Sequence, residues 1–139
     1  MRVLVVDDHA AVRRSLTEVL QGEAYLEVVG EASDGEQAVQ LAAQLAPDLV
    51  LMDIVMPTMD GIEATRRIMR ERPKTRVIGL SMHDSMAYAA RMLEAGACAC
   101  LLKDCEMEDL LHEIRFGEGP ARHVNESKKP REHLLDSIR

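Results

Sequence analysis

Five times along the chain a short apolar run gives way to a longer segment with apolar residues three and four apart, and this alternation restricts the fold more than any other feature. Val3 to Val6, Leu26 to Gly30, Leu49 to Met52, Val77 to Leu80 and Ala99 to Leu102 read as strands. The segments between them carry sets such as Val12, Leu16, Val19 and Leu20, or Ala38, Leu41, Ala42 and Leu45, which read as helices. Asp34-Gly35 precedes the second helix, Ala46-Pro47 ends it, Asp60-Gly61 opens the third, Pro73 closes it, and Gly96 and Gly117 close the fourth and fifth. Strands apolar on both faces belong in a parallel sheet covered by helices on each side and joined by right-handed crossovers. The expected fold is a doubly wound α/β domain ending near Phe116.

At 139 residues and 47% hydrophobic the chain can bury one core, and with one Phe, two Tyr and no Trp that core is built from aliphatic side chains and Met. A formal charge of -7 works against a nucleic-acid surface on the body of the domain. No apolar run approaches the ~20 residues that span a bilayer, and the chain opens on VLVVDD without a signal pattern, so a cytoplasmic location is expected. The clustered Cys98, Cys100 and Cys105 read as reduced thiols, because His112 is not at a zinc-ligand spacing from them.

In open parallel sheets, ligands sit beyond the carboxyl ends of the strands. Here those ends carry Asp7-Asp8 on the first strand, Asp53 on the third, Ser81 on the fourth and Lys103 on the fifth. With strand order 2-1-3-4-5 three carboxylates meet in one crevice, repelling by roughly 4 kcal/mol per pair at about 4 Å and an effective dielectric of about 20. A cation is needed, and an oxygen-rich, thiol-free site favours Mg²⁺. Lys103 and Ser81 suit the oxygens of an incoming phosphoryl group, so the set reads as a phosphoryl-transfer site with an Asp nucleophile. Each residue alone has a plainer reading: Asp7-Asp8 as a helix cap, Asp53 in a turn before Pro57, Ser81 as a strand end, Lys103 as a solvated charge.

VLVVDDH, LVLMDIVMPTMDG, VIGLS and CLLKD resemble the signature blocks of response-regulator receiver domains, over about Met1 to Phe116. The resemblance implies a flavodoxin-like, five-stranded sheet of order 2-1-3-4-5, with Asp53 phosphorylated from a phosphohistidine of a sensor histidine kinase. It implies that Asp8, Asp53 and the Val55 backbone carbonyl bind Mg²⁺ directly, with Asp7 acting largely through water. Ser81 then moves to the phosphoryl oxygens, Lys103 pairs with them, and the fourth helix and fifth strand repack. Such a protein is a phosphoacceptor rather than an enzyme, beyond catalysing its own phosphorylation and dephosphorylation. The LLKD and DCEMEDLLHEIR segments look most like receivers of transcription regulators with a LuxR-type helix-turn-helix, and Pro130-Arg131-Glu132 resembles the opening of that domain.

Two departures stand out. Cys100 occupies the place where the family usually has a switching Tyr or Phe; a packed thiol is the plainer reading, and a redox sensor would require exposure and a lowered pKa. The chain also ends seven residues after Glu132, too short for a helix-turn-helix, so residues 117–139 read as a linker or tail with at most one helix. A stand-alone receiver, a receiver cut from a longer LuxR-type regulator and one whose effector has degenerated all fit this length, and DNA binding by this chain alone is not expected. Output through a homodimer or a downstream protein is, across Ser85 to Phe116, with Met86, Tyr88, Met92 and Met107 as candidate contacts. Val55 and His83 flank the phosphoryl group in the family geometry, Val55 hindering the hydrolytic water. Two other readings compete: a haloacid-dehalogenase-type phosphohydrolase, which wants an acid two positions after its nucleophile where this chain has His9, and a non-phosphorylated pseudo-receiver acting as a binding module.

Overall fold

The computed structural model describes residues 1–82 and 86–117 and the backbone of 122–123. Strands β1 (Arg2–Val6), β2 (Glu27–Ala32), β3 (Leu49–Asp53), β4 (Arg76–Ser81) and β5 (Ala99–Leu102) alternate with helices α1 (Ala10–Gln21), α2 (Gly35–Leu45), α3 (Gly61–Glu71), α4 (Met86–Ala95) and α5 (Met107–Phe116). All pairings are parallel, in the order β2-β1-β3-β4-β5, as expected.

The tail adds something the sequence did not announce. Arg122–His123 forms a sixth strand, β6, beside β5, pairing Ala99 with Arg122 and Cys100 with His123. The segment read as a linker thus supplies backbone partners to an edge strand that would otherwise present unpaired groups. His83, Ser85 and Pro130-Arg131-Glu132 lie outside the described residues, as does most of the tail.

Alternate strand residues feed two cores, one on each face of the sheet. Leu4, Val6, Val50, Met52, Val77 and Cys100 pack under α2, α3 and α4, against Ala38, Ala42, Ile62, Ile68 and Met92. Val3, Val5, Leu49, Leu51, Ile78, Leu80 and Leu101 face α1 and α5, against Leu16, Leu20, Leu110 and Ile114. Each such aliphatic side chain contributes roughly 1.5–3 kcal/mol on burial. This two-sided burial is why the strands read as continuous apolar runs rather than alternating ones.

The helices start where the sequence punctuates them. Asp34 caps α2 by accepting the Gln37 N–H at 2.8 Å, and Asp60 caps α3 by accepting the Glu63 N–H at 2.9 Å. Each cap is worth about 1 kcal/mol. Among the described residues no helix is long and apolar enough to cross a membrane.

Candidate functional site

Because β1 and β3 are neighbours, the residues that follow or end them are forced together at the carboxyl edge of the sheet. Asp7 and Asp8 leave β1, Asp53 ends β3, Ser81 ends β4, and Lys103 follows β5 directly. Ligand atoms of Asp7, Asp8, His9 and Asp53 all lie within 4.8 Å of one another. A cavity of about 340 Å³ opens over them, with Asp8, Asp53, Ser81 and Lys103 in its wall and Val55 and Met82 at its rim, 58% and 56% exposed. Asp7 lies beneath this wall rather than in it.

The backbone fixes Asp53 closely. The chain after β3 folds back so that the Gly61 N–H donates to the Ile54 carbonyl at 2.7 Å, and a Cβ at Gly61 would stand 2.0 Å from the Asp53 carbonyl oxygen. Only glycine allows α3 to begin so close to the end of β3.

Neither Asp7 nor Asp8 caps α1. His9 stands at the N-cap and makes no side-chain cap, while its backbone N–H donates to Asp7 Oδ1 at 2.9 Å. Lys103 is not a solvated charge either. Its Nζ donates to Asp7 Oδ2 at 2.6 Å and lies 3.1 Å from Asp53 Oδ1, with side-chain exposures of 2% for Lys103 and 1% for Asp7. One ammonium therefore serves two buried carboxylates, an arrangement stable only while all three groups stay in place.

One cation against three acids leaves negative charge in excess. Burial pushes the Asp53 carboxyl up to about 7, and Asp7 and Asp8 add to that rise while Lys103 opposes it. His9 Nδ1 lies 3.1 Å from Asp8 Oδ1, yet this buried oxygen has no hydrogen-bond donor. The set is all oxygen apart from that imidazole, so it fits a hard divalent cation.

The structure brings together Asp7, Asp8, Asp53, Ser81, Lys103 and Val55 and places Cys100 elsewhere. Cys100 is 2% exposed within the core under α4, where burial pushes its thiol up to about 11. Such a thiol is not the exposed, acidic group that redox sensing requires. Of the candidate output contacts, Met86 is exposed, Met92 is buried, and Tyr88 and Met107 are half-buried against the two cores.

Four cavity residues, His9, Ile54, Met82 and Tyr88, are not among the site residues that the sequence identifies. His9 could have been found from its place beside Asp8. Tyr88 was assigned to the output face, but it lines the cavity, because α4 begins at Met86 and turns its first residues toward the end of β4.

The response regulator receiver domain model matches residues 3–115. The chain is 44% identical over 117 residues to the transcriptional regulatory protein LiaR of Bacillus subtilis, covering 83% of this chain and 54% of that protein. It spans about half the length of the curated relatives it matches. The structure is similar to a LuxR-family two-component response regulator from Aurantimonas, with TM-score 0.83 and 30% identity over 99% of this chain and 94% of that one. It is also similar to a CheX-CheY-BeF3-Mg²⁺ complex from Borrelia burgdorferi, with TM-score 0.77 and 30% identity over 82% of this chain and 86% of that one. The Aurantimonas protein is named as a regulator of the LuxR family, the type that the LLKD and DCEMEDLLHEIR segments resemble. With five parallel strands in the order matched and the acid pair, acid, hydroxyl and ammonium at their ends, the chain belongs to the response regulator receiver domain family.

Proposed function

We propose that this receiver accepts a phosphoryl group on Asp53 from the phosphohistidine of a sensor histidine kinase and thereby changes its output face. The observation that carries the reading is the convergence of Asp53 with Asp7, Asp8 and Lys103 at one cavity open to solvent. A carboxylate oxygen of Asp53 forms the new P–O bond as phosphorus parts from its leaving group, a histidine nitrogen in the kinase or an oxygen in acetyl phosphate. Ionised Asp53 needs no base; Lys103 Nζ, 3.1 Å away, helps to keep it ionised and holds it in place. Ser81 is positioned at the end of β4 to donate its hydroxyl to the phosphoryl oxygens.

Asp8, Asp53 and the Val55 carbonyl would hold Mg²⁺, with Asp7 behind them acting through water. The unsatisfied Asp8 Oδ1 supports this, as does the Mg²⁺ named in the related CheY complex. When bound, the cation neutralises charge on the phosphoryl oxygens and on the acids. Residues 1–116 act as the phosphoacceptor unit, with Arg122–His123 adding a strand to its sheet and the remainder of 117–139 serving as linker or tail, in a cytoplasmic protein. Output runs through α4, β5 and α5, to a second copy or a downstream protein, and bears on transcription where a DNA-binding domain is joined to the receiver.

Incubation with Mg²⁺ and acetyl phosphate should yield an acyl phosphate that hydroxylamine cleaves, lost on adding EDTA or in Asp53→Ala. A phosphoprotein stable to hydroxylamine, or one formed equally in EDTA, would contradict the reading.

A further inference from the structure

Asp8 and His9 lie between β1 and α1, Asp53, Ile54 and Val55 end or follow β3, Ser81 and Met82 end or follow β4, and Lys103 follows β5. Among the described residues, Tyr88 is thus the one of the cavity wall that lies within a helix. Of the others, Asp53 and Ser81 lie in the parallel ladder and the rest in the segments that follow β1, β3, β4 and β5, so Tyr88 is where the cavity wall meets α4 itself. Resting on the proposed phosphorylation of Asp53, we infer that Tyr88 is the positioning residue through which the phosphoryl group acts on α4.

The helix is built for this. Tyr88, Met92 and Ala95 are spaced four and three apart, so they share the face of α4 that meets the sheet. Met92, fully buried, sits directly over β4 and β5: a Cβ at Gly79 would lie 2.8 Å from Met92 Cε and 3.4 Å from Cys100 Sγ. Its sulfur accepts from Thr65 Oγ1 of α3 at 3.9 Å. The middle of α4 is therefore pinned by Met92, and Tyr88, one turn earlier, is the end that reaches the cavity. Gly79 and Cys100 are paired across β4 and β5, and Met92 fills the volume above them. An aromatic ring at position 100 has no space there, whereas the phenol of Tyr88 already stands in the same wall as Asp53, Ser81 and Lys103. Phosphorylation exchanges the single charge of the Asp53 carboxylate for up to two on an acyl phosphate and brings three acceptor oxygens to that wall. It attracts the phenol O–H and displaces the ring, so the first turn of α4 moves about Met92.

The two tyrosines and the absence of Trp make the test direct. In Tyr25→Phe, Tyr88 is the sole tyrosine; its emission is followed during reaction with Mg²⁺ and acetyl phosphate, with the phosphorylated fraction read by intact mass in the same samples. The emission should change in proportion to that fraction and stay constant in Tyr25→Phe with Asp53→Ala. Hydrogen exchange of the α4 amides, normalised to phosphorylated fraction, should respond to phosphorylation in the parent and lose at least half of that response in Tyr88→Phe or Tyr88→Ala. Full phosphorylation with unchanged emission, or an α4 response unaltered in both Tyr88 variants, would overturn the inference. Absence of any phosphoryl increment would overturn the proposed function and the inference with it.

Discussion

Lys103 Nζ and Asp7 Oδ2 meet at 2.6 Å beneath the cavity floor, ninety-six residues apart in sequence. Both side chains are almost wholly buried, so each charge depends on the other, and Asp53 shares the same ammonium. Removing Lys103 strands two buried acids. Lys103→Met should lose about 3–5 kcal/mol of stability, the usual cost of breaking a buried pair from one side. Urea unfolding at neutral pH checks this, and Mg²⁺ should restore part of the loss by supplying positive charge. A variant as stable as the parent would mean that the pair is not formed.

The pH dependence of stability follows from Asp53. Its carboxyl, held up to about 7 in the folded protein, falls to about 3.8 when unfolded, so between those values the folded state binds more protons. The contribution of Asp53 is thus most favourable at low pH and is lost as pH rises through 7. Asp53→Asn should exceed the parent in stability at pH 8, by on the order of a few kcal/mol, and the advantage should vanish toward pH 4. Thermal unfolding across that range measures it, and saturating Mg²⁺ should shrink the difference at pH 8. An advantage independent of pH would show that Asp53 does not titrate in this way.

The fifth-strand thiol is enclosed. Cys100 should resist alkylation in the native protein at neutral pH, by peptide mass mapping, and become reactive only on unfolding. Cys100→Tyr should cost about 1–3 kcal/mol by overpacking against Met92, and Met92→Ala in the same chain should recover part of it. Additive losses in the double variant would remove Met92 as the occupant of that space.

At the cavity rim, Val55 presents a β-branched apolar side chain beside Asp53. Val55→Asn should shorten the lifetime of the phosphoryl group several-fold by admitting and orienting water, as followed by phosphate release after removal of the donor. An equal or longer lifetime in the variant would contradict the role given to Val55.

The fold was legible in the sequence because burial on both sheet faces writes each strand as an unbroken apolar run, and Asp34 and Asp60 mark two helix starts as caps. Strand ends came out one residue longer than read at Arg2, Asp53, Arg76 and Ser81, where polar residues continue the ladder, and β2 runs from Glu27 to Ala32 rather than from Leu26 to Gly30. The site was legible for the same reason: topology alone carries Asp7, Asp8, Asp53, Ser81 and Lys103 to one edge. What was hidden depends on helix placement and packing. Tyr88 enters the cavity only because α4 starts at Met86, and the crowding of Met92 on Gly79 and Cys100 is a matter of volumes that no spacing reveals. The β6 pairing joins residues too few to leave a pattern.

The central claim, that Asp53 takes the phosphoryl group, is tested most directly by intact-mass spectrometry after incubation with Mg²⁺ and acetyl phosphate, beside Asp53→Ala. A single phosphoryl increment on the parent, absent from the variant, is the expected result. An increment retained in Asp53→Ala, or none on a folded parent that binds Mg²⁺, would contradict it.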